Sequence, residues 1–439
     1  MKEFKMKRSA SLIVTLSILN LPSAAFAQNC VDGQPIRPTW TPAGYEYGRL
    51  GVSLAGSDLF IAAEVNSGTV AVMRPNATNG YSQAQVIQTG YISNMRAAVD
   101  TLVVGNSWST SNGAVRIYRK QTTGLYALGA TLTGPVTDES FGDRVALSED
   151  ALTLAVGAPY AGAGPTAYSG KVYIYTRQSS GTWALLSTLT PVAGSVGNAL
   201  FGYRVSVSGT RVAVAESNSQ WGYVFVRTGS TYVQEARVTH SAPVGNTSND
   251  ICLSADWMWF RKGGSRLDAF QLSGSSWVFK QTLVLASTKA IDFKNGLLAV
   301  SDQVSSPTST IRVRGYQRQG AQMMWTNFFT ATPSVALDES LTSWLAIDGD
   351  RIVVDAPWLD FGSVSDYGAA FLFDAVFNDC NGNGTRDECD IALTTSADSN
   401  SNGVPDECES LCAADVNSDG VIDGVDLTYL LSGWGACPP

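Results

Sequence analysis

Histidine is almost absent from this chain of 439 residues, because its single copy is His240. Catalytic triads, histidine-rich metal centres and histidine general bases all depend on imidazole groups. One histidine therefore nearly excludes these kinds of site, and we expect His240 to be a surface residue at the end of an outer strand. We expect no catalytic residues, and hence a protein that is not an enzyme.

Long apolar runs are also missing beyond the first 27 residues. That leading segment has basic residues near its start, a mostly apolar run from Leu12 to Leu21, and then Ala25-Phe26-Ala27. This order is typical of a secretory signal peptide with its cleavage site. The apolar run is too short to cross a membrane, and no stretch of about 18 apolar residues follows it. We therefore expect a protein that is secreted or lies at the cell-envelope surface, and that is not membrane-spanning.

Basic charge is scarce in the body of the chain. The formal net charge is −9, of which residues 378–439 contribute −11 and residues 1–27 contribute +3, so the remainder carries −1. Nucleic-acid binding needs basic patches that meet phosphates, so we expect no nucleic-acid partner. The acidic tail instead carries the negative charge that bound divalent cations would offset.

The tail repeats a pattern of twelve residues three times, with oxygen-bearing side chains at positions 1, 3, 5, 9 and 12 and glycine at position 6. A calcium ion takes 6–8 oxygen ligands, and a short loop supplies them only by turning sharply at a residue without a Cβ. The alternative is a set of Asx-turns in a solvated tail. Complete copies favour calcium, and we expect about three Ca²⁺ ions. The candidate ligands are Asp379, Asn381, Asn383, Asp387 and Asp390; Asp398, Asn400, Asn402, Asp406 and Glu409; and Asp415, Asn417, Asp419, Asp423 and Asp426.

Cysteines are few but concentrated, with five of the seven in the tail. This usage fits an oxidising compartment. Cys412 and Cys437 bracket the third loop and are candidates for a disulfide that staples it. Cys389 and Cys408 occupy equivalent positions in the first two loops and are candidates for a pair across them. An odd total leaves at least one thiol free or paired between molecules.

The body, from about residue 30 to 377, repeats at roughly fifty residues, which is the period of propeller blades. Each repeat has a short turn with an apolar strand, a glycine with an alternating strand, and a glycine with an aromatic strand. Alternating strands separated by turn residues predict antiparallel hairpins. The apolar unit occurs seven times, whereas the aromatic strand is missing from the last repeat.

The segment Arg37-Pro-Thr-Trp40-Thr-Pro, before the first repeat, has the character of that missing strand. If it completes the last blade, it closes the ring and removes the free edges. The predicted fold class is therefore all-β: a seven-bladed β-propeller closed by the N-terminal strand, followed by a small calcium-loop tail that ends in a short helix. The same closure brings Cys30 near Cys380, and we predict a disulfide between them.

Four carboxylates follow the apolar strand in different repeats and suggest a ligand-binding rim at one mouth of the ring: Glu64, Glu216, Asp302 and Asp355. Polar loop ends on a rigid scaffold are common binding sites. The alternative is a solvated rim with no specific ligand. The pair Asp138-Glu139 recurs as Asp338-Glu339, which favours turn chemistry over catalysis. Trp108, Trp221 and Trp358 are candidates for stacking on sugars or for packing between blades.

Four of the repeats resemble a known motif, two of them in part. Phe141-Gly142-Asp-Arg-Val-Ala, with Leu154-Ala-Val-Gly157-Ala158-Pro159 after it, and Phe201-Gly202-Tyr-Arg-Val-Ser are similar to FG-GAP repeats. The partial matches are Tyr47-Gly48-Arg and Ile352-Val-Val-Asp-Ala356-Pro357. The resemblance implies a propeller like the integrin α-chain head. It implies no calcium sites in the blades, because the D-x-D-x-D-G loops of calcium-binding members are absent.

The tail has resemblances of its own. The first two loops are similar to thrombospondin type 3 repeats, and the third, with the segment after it, resembles one half of a dockerin. A dockerin uses two such halves, so a cohesin-type partner is doubtful. The predicted domains are a signal peptide at 1–27, an FG-GAP-like propeller at 28–377, thrombospondin type 3-like loops at 378–410, and a dockerin-like EF-hand loop and helix at 411–439.

These observations favour a secreted, non-catalytic protein that binds a protein or polysaccharide ligand or mediates adhesion. Two alternatives remain open. One is an extracellular polysaccharide-degrading enzyme, since dockerin-like modules often accompany such enzymes. The other is a structural component of the cell envelope that the tail attaches.

Overall fold

The structure is a computed structural model, and it describes most of the body and part of the tail. The described residues are 35–38, 47–63, 68–77, 80–107, 112–135, 140–162, 168–191, 199–217, 219–239, 249–262, 265–285, 287–304, 310–319, 324–331, 344–357, 359, 368–375, 387–392, 394–399, 404–408 and 424–432. His240 lies outside these ranges, as do Cys30, Cys380, Cys412 and Cys437.

The described residues of the body form twenty-eight strands. In chain order they are β1 (Pro35–Ile36), β2 (Tyr47–Ala55), β3 (Asp58–Ala63), β4 (Thr69–Pro75), β5 (Tyr81–Gln88), β6 (Asn94–Ala98), β7 (Thr101–Asn106), β8 (Ala114–Lys120), β9 (Tyr126–Thr133), β10 (Arg144–Leu147), β11 (Thr153–Ala158), β12 (Lys171–Arg177), β13 (Trp183–Leu189), β14 (Arg204–Ser208), β15 (Arg211–Ala215), β16 (Trp221–Thr228), β17 (Thr231–Thr239), β18 (Asn249–Ser254), β19 (Trp257–Lys262), β20 (Arg266–Ser273), β21 (Ser276–Val284), β22 (Thr288–Lys294), β23 (Leu297–Val304), β24 (Thr310–Gln319), β25 (Met324–Ala331), β26 (Leu345–Asp348), β27 (Arg351–Ala356) and β28 (Ala369–Asp374).

The strands form seven antiparallel sheets of four strands each, which are the blades of a β-propeller. Blades 1 to 6 each take four consecutive strands, beginning with β2, β6, β10, β14, β18 and β22. Blade 7 takes β26, β27 and β28, and β1 supplies its outer strand. The predicted fold class is therefore confirmed.

The closing strand lies slightly earlier than the sequence predicts. Pro35 pairs with Phe371 and Ile36 with Ala370, both antiparallel. Arg37 and Pro38 follow this strand instead of forming it. Because the chain start pairs with the last strand of the body, blade 7 gains its fourth strand and the ring closes.

Burial differs sharply between the strands of one blade. The second strands are almost entirely buried, and β7 and β11 are buried along their whole length, because blades pack on both of their faces. The outer strand β9 is mostly exposed. In blades 1 to 6 the pairing between the third and outer strands shifts register once, at a β-bulge or irregularity. Such bulges twist an exposed edge away from pairing with another sheet.

The Phe-Gly pairs of the recurring motif lie where one blade meets the next. Phe141 and Phe201 are completely buried, and each forms an isolated parallel bridge to a glycine of the preceding blade's chain, Gly113 or Gly170. The glycine after Phe141 has a φ of +90°, and a Cβ there would lie 2.5 Å from the Ala114 carbonyl oxygen. This position therefore requires glycine, since a side chain would collide with backbone.

The inner strand of each blade has one edge that no strand of its own sheet covers. Short polar side chains of the preceding blade accept hydrogen bonds from backbone N–H groups on the next inner strand. The donor and acceptor pairs are Ala97 to Ser53, Val145 to Asn94, Leu253 to Ser206, Ala255 to Ser208, Asn295 to Ser254, Ile347 to Asp292, and Gly56 to Asp348, with distances from 2.6 to 3.1 Å. Among the described residues, only the junction between blades 3 and 4 carries no bond of this kind.

A buried carboxylate joins blades 1 and 2. Asp58 is inaccessible to solvent, and its oxygens lie 2.6 Å from Arg74 Nε, 2.7 Å from Lys120 Nζ and 2.9 Å from the Tyr126 hydroxyl. Burial by itself raises the pKa of Asp58, but the hydrogen bonds from these three groups outweigh it and hold the pKa below its ordinary value. Asp58 is therefore charged in the folded protein.

The described part of the tail contains helix α1 (Asp387–Ala392), a 3₁₀ turn at Asp406–Cys408 and helix α2 (Gly424–Ser432). Cys408 is disulfide-bonded, whereas Cys252, in the body, is a buried free thiol. Within the described ranges, no helix is both long enough and apolar enough to span a membrane.

Replacing Asp58 by Asn should lower the free energy of unfolding by about 1–3 kcal/mol, since hydrogen bonds to a charged, buried group are lost. Chemical denaturation at neutral pH measures the difference. The matched control is Asp100→Asn, because Asp100 also pairs with an arginine of its own blade, Arg119, but its side chain is 35% exposed. The control should cost less than about 1 kcal/mol.

The Asp58 contribution should also depend on pH. Its folded-state pKa lies below its unfolded-state value, so the contribution is fully present above about pH 4 and disappears as the pH falls through the folded-state pKa. The wild type and Asp58→Asn should therefore converge in stability on acidification. Equal losses for the two aspartate variants at neutral pH would contradict a special role for Asp58.

Candidate functional site in the central channel

The inner strands surround a cavity of about 90 Å³ on the axis of the ring. Every blade contributes to its wall, for example through Ser53, Asn94 and Ala290. A volume of this size holds several water molecules or one small ionic group, since one water needs about 10–15 Å³ by the same measure. The polar wall makes this cavity the leading candidate for a binding site.

Charged residues occupy equivalent positions on three consecutive inner strands. Arg144 pairs with Gly157, Arg204 with Ala215, and Asp250 with Arg261, each at the same register of its blade. Because the three residues have the same register on consecutive inner strands, their side chains lie at one level of the channel. Arg96, on the inner strand of blade 2, adds a further cation to the wall.

Three guanidinium groups converge on one indole ring. The Cζ atoms of Arg96, Arg144 and Arg204 lie 5.9, 5.6 and 5.9 Å from the ring centroid of Trp344. Trp344 directly precedes the inner strand of blade 7. Its ring therefore contacts arginine side chains from blades 2, 3 and 4. Tyr203 adds a second ring, 5.3 Å from the Arg144 Cζ and 4.8 Å from the Arg204 Cζ. Cation–π attraction acts over these distances.

Carboxylates compensate these cations only in part. Asp143 lies 3.1 Å from an Nη of Arg144, and Asp250 lies 3.4 Å from the Nε of Arg204. Asp250 also pairs with Arg261 at 3.3 Å, so two cations share its charge. No salt bridge to Arg96 is found among the described residues.

The charge of Arg144 is compensated only in part. Burial, and then repulsion from Arg204, lower the pKa of its guanidinium, although Asp143 and Asp250 act in the opposite direction. Its Nε is buried and makes no hydrogen bond within the described part of the chain. An anion placed beside the outward-facing part of the Arg144 guanidinium would supply the missing negative charge.

The carboxylates of the predicted rim are arranged differently from the expectation. Glu216, Asp302 and Asp355 are completely buried. The hydroxyl groups of Tyr223 and Ser219 donate hydrogen bonds to Glu216. The guanidinium groups of Arg312 and Arg314 donate to Asp302. The backbone N–H of Trp344 donates to Asp355. They therefore serve contacts within their own blades and form no exposed rim, because strand packing covers them. Glu64 lies outside the described residues.

Few of the predicted calcium ligands fall within the described residues. Asp387 and Asp390 are 5% and 1% exposed on helix α1. Asp406 accepts hydrogen bonds from the backbone and hydroxyl of Ser399, which lower its pKa. Asp398 is also described, and Asp426 lies on helix α2. In the described ranges no three His, Cys, Asp or Glu side chains form a group that could hold a metal ion; the other predicted ligands lie outside those ranges.

Of the candidate tryptophans and Asp-Glu pairs, only Trp221 lies within the described residues. Trp221 is described, and the Cζ of Arg237 lies 4.1 Å from its ring centroid. This contact lies within blade 4, between its third and outer strands. Trp108, Trp358, Asp138-Glu139 and Asp338-Glu339 lie outside the described residues.

The arginine cluster and Trp344 were not among the site residues predicted from the sequence. A signal was present, since the recurring motif carries an arginine two residues after its glycine, at both Arg144 and Arg204. In the sequence, both arginines are part of a motif that indicates the fold. That they face one channel together with Arg96 and Trp344 follows only from the closure of the ring.

Comparison with known proteins gives the fold and little more. No family model matches the chain, and no curated protein matches it. The propeller is similar to the periplasmic gluconolactonase PpgL of Pseudomonas aeruginosa, with a TM-score of 0.50 and 14% identity over 73% of this chain and 99% of that one. It is also similar to a chain of the Mitotic Checkpoint Complex, with a TM-score of 0.51 and 11% identity over 86% of this chain and 100% of that one.

One expectation needs correction in view of this similarity. The scarcity of histidine led us to expect a protein that is not an enzyme, yet the gluconolactonase is an enzyme built on a similar propeller. The lack of histidine-based groups is therefore insufficient to exclude catalysis. At 14% identity the similarity establishes a common fold and assigns no activity.

Replacing Arg144 by Gln should raise the free energy of unfolding of the ligand-free protein by about 1 kcal/mol, because a poorly compensated buried charge is removed. The matched control is Arg211→Gln. Arg211 makes two hydrogen bonds to Glu235, at 2.8 and 2.9 Å, so its loss should lower the free energy of unfolding by about 1–3 kcal/mol. Denaturant titration of both variants measures the sign of each change in the free energy of unfolding. A loss of stability for Arg144→Gln as large as that of the control would make Arg144 a structural residue.

Proposed function

We propose that this chain is a secreted or cell-surface β-propeller that binds an extracellular protein or polysaccharide ligand at its central channel, and that its C-terminal loops bind calcium. The observation that carries the proposal is the convergence of Arg96, Arg144 and Arg204 on Trp344. Arginine and tryptophan are the side chains that most often dominate binding energy in protein interfaces.

The scaffold supports this role because it holds the charged groups on rigid elements. Arg144 and Arg204 are strand residues whose backbone is fixed by pairing within their own sheets. A binding group on a strand needs little ordering when a ligand arrives, so less binding energy is lost to entropy. The stability given up at Arg144 is typical of a residue kept for binding.

The chemistry of the tail fits calcium. Helix α1 and the 3₁₀ turn begin at Asp387 and Asp406, position 9 of loops one and two, and helix α2 begins one residue after the same position of loop three. Helical residues three apart share a face, so the oxygens at positions 9 and 12 of the first loop point the same way. Asp387 and Asp390 are both buried there, and an oxygen of Asp390 accepts a hydrogen bond from the Thr395 hydroxyl at 2.8 Å. Carboxylates that ligate a metal commonly accept such hydrogen bonds as well.

Calcium would be held by the oxygen-bearing residues at positions 1, 3, 5, 9 and 12 of each loop. The bound ion neutralises the repulsion among carboxylates and orders the loops, so metal affinity becomes folding free energy. Extracellular modules bind calcium at about 10⁻⁴–10⁻³ M. This range suits a constitutively loaded structural site in the compartment to which residues 1–27 would direct the protein.

Hydrolysis of a sugar lactone is a second candidate function. It is favoured by the similarity to a propeller gluconolactonase and by the presence of Asp250 beside the Arg204 guanidinium. A guanidinium can polarise a carbonyl oxygen, and a carboxylate can orient water. Release of acid from a panel of sugar lactones by the wild type, and its loss in Arg204→Gln, would favour this function over binding alone.

Replacing Trp344 by Ala should abolish ligand binding at the channel, because the wall shared by the three guanidiniums is lost. Binding is measured by retention of the full chain on extracellular polysaccharides and matrix proteins. The matched control is Trp221→Ala, which removes an indole that also stacks on an arginine but lies outside the channel. Equal retention of the Trp344 variant and the wild type would contradict binding at the channel.

Calorimetric titration of the full chain with Ca²⁺ should show uptake of about three ions. Replacing Asp390 by Asn should remove one ion from this stoichiometry, because position 12 of the first loop loses its charge. Glu407→Gln is the control, since it makes the same charge change at a position of the second loop that holds no predicted ligand. No uptake at millimolar calcium would reduce the loops to acidic turns.

A further inference from the structure

We propose that Arg96, Arg144 and Arg204 form a binding site for one oxyanion group, a carboxylate, sulfate or phosphate, carried by the ligand. This inference rests on the proposed binding function, because it names the chemistry that the same channel recognises. It selects acidic ligands among the polysaccharides and proteins of the extracellular space.

The unused donors of the arginines carry the first part of the argument. Each guanidinium has five N–H donors. In each case one Nη donates to the carbonyl oxygen of the preceding residue, at 3.2 Å for Arg96, 2.8 Å for Arg144 and 3.2 Å for Arg204. This shared bond fixes the direction of each side chain, and among the described residues other donors have no hydrogen-bond partner and can meet a ligand. Planar forks of N–H groups bind carboxylate, sulfate and phosphate oxygens with two parallel hydrogen bonds.

Charge balance is the second part. The described lining of the cavity carries four cations and three carboxylates: Arg96, Arg144, Arg204 and Lys294, and Glu149, Asp250 and Asp292. Around Trp344, the three arginines outnumber the two carboxylates paired with them, Asp143 and Asp250, and Asp250 is also shared with Arg261. An anionic group restores the balance, whereas a neutral sugar ring does not.

The third part is size. The cavity of about 90 Å³ holds a single oxyanion head and not an oligosaccharide. The rest of the ligand must lie outside the cavity, which fits a charged group at the end or on a branch of a larger molecule. The indole of Trp344 offers an apolar wall against which a sugar ring or a methylene chain can pack.

The fourth part concerns the ring itself. Elsewhere, short polar side chains connect consecutive inner strands, but the described junction between blades 3 and 4 instead brings Arg144 against Tyr203. Arg144 belongs to blade 3 and Arg204 to blade 4. An oxyanion held by both would connect the two blades, so binding should also stabilise the fold.

The test uses the full chain and small probes of defined charge. Sodium glucuronate, sulfate and phosphate are titrated by calorimetry, and their effect on the melting temperature is measured in parallel. Glucose is the neutral control, and sodium chloride at matched ionic strength controls for screening. Glucuronate stands for an acidic sugar, whereas sulfate and phosphate stand for the free ions.

We expect saturable binding at one site and a rise in melting temperature with the oxyanions, and neither effect with glucose or chloride. Arg144→Gln and Arg204→Gln should each raise the Kd roughly tenfold to a hundredfold, because hydrogen bonds to charged groups contribute on that scale. Arg144→Lys should keep only part of the affinity, since an ammonium group has no planar fork. Arg237→Gln, which alters the arginine stacked on Trp221, should bind like the wild type.

Several results would overturn the inference. They are equal binding of glucose and glucuronate, no rise in melting temperature beyond that with chloride, or undiminished affinity in Arg144→Gln. Tighter binding of glucuronate than of sulfate and phosphate would support an acidic-sugar source, and the reverse order would support a sulfated or phosphorylated one.

The inference and the proposed function fail separately. If Trp344→Ala abolishes retention on polymers while no small oxyanion binds, the channel binds a ligand but not through an oxyanion. If oxyanions bind with the expected dependence on Arg144 and no polymer is retained, the oxyanion site stands and the polymeric ligand does not.

Discussion

The unpaired inner edges of seven sheets are the constraint on which the rest of this structure depends. A strand with free N–H and C=O groups invites pairing with other chains, and a narrow channel has no room for an additional strand. Here Ser, Asn and Asp side chains accept hydrogen bonds from one or two backbone N–H groups of the next blade at six of the seven described junctions. Because these side chains are short, they fix the spacing of consecutive blades and hence the width of the channel.

The same constraint explains where the binding residues lie. At most junctions a short polar side chain of the inner strand accepts a hydrogen bond from the next blade. In blade 3 the register of Ser206 holds Ala146, which has no side-chain acceptor. Two residues before it lies Arg144, whose charge is compensated only in part. The ring tolerates this junction because the neighbouring ones are well connected, and because the buried Phe201 fills the contact between the same two blades. Stability elsewhere thus permits a strained electrostatic arrangement at one place.

The sequence predicted the architecture well, because the architecture rests on local patterns. Alternation, turn residues and the count of apolar strands led to seven blades, and the missing outer strand of the last repeat led to closure by the chain start. The site was predicted poorly. Glu216 and Asp302 follow apolar strands and appeared to be exposed, but the structure buries both against tyrosine or arginine partners. Exposure at a strand end depends on packing of neighbouring blades, which a linear pattern does not contain.

Arg144 and Arg204 illustrate the other half of this difficulty. Each lies inside a recognisable motif, so its presence was visible, but the convergence with Arg96 depends on the rotation from one blade to the next. Trp344 has no counterpart in the motif and belongs to the repeat that lacks its own aromatic strand. Convergent sites on closed rings are therefore hidden from repeat analysis, since each blade contributes one residue that is unremarkable by itself.

The pairing of Pro35 with Phe371 also has a consequence for the order of events during synthesis. Strand β1 is synthesised long before its partner β28. Until β28 has been synthesised, blade 7 is incomplete and the ring is open. Contacts between the two ends of a chain form slowly, because a long loop has to close first. A nascent chain stopped anywhere before β28 cannot complete the circle, and its exposed edges would be recognised by chaperones or would aggregate. The propeller is therefore complete only when the chain extends through β28, because closure depends on pairing with a strand of only two residues.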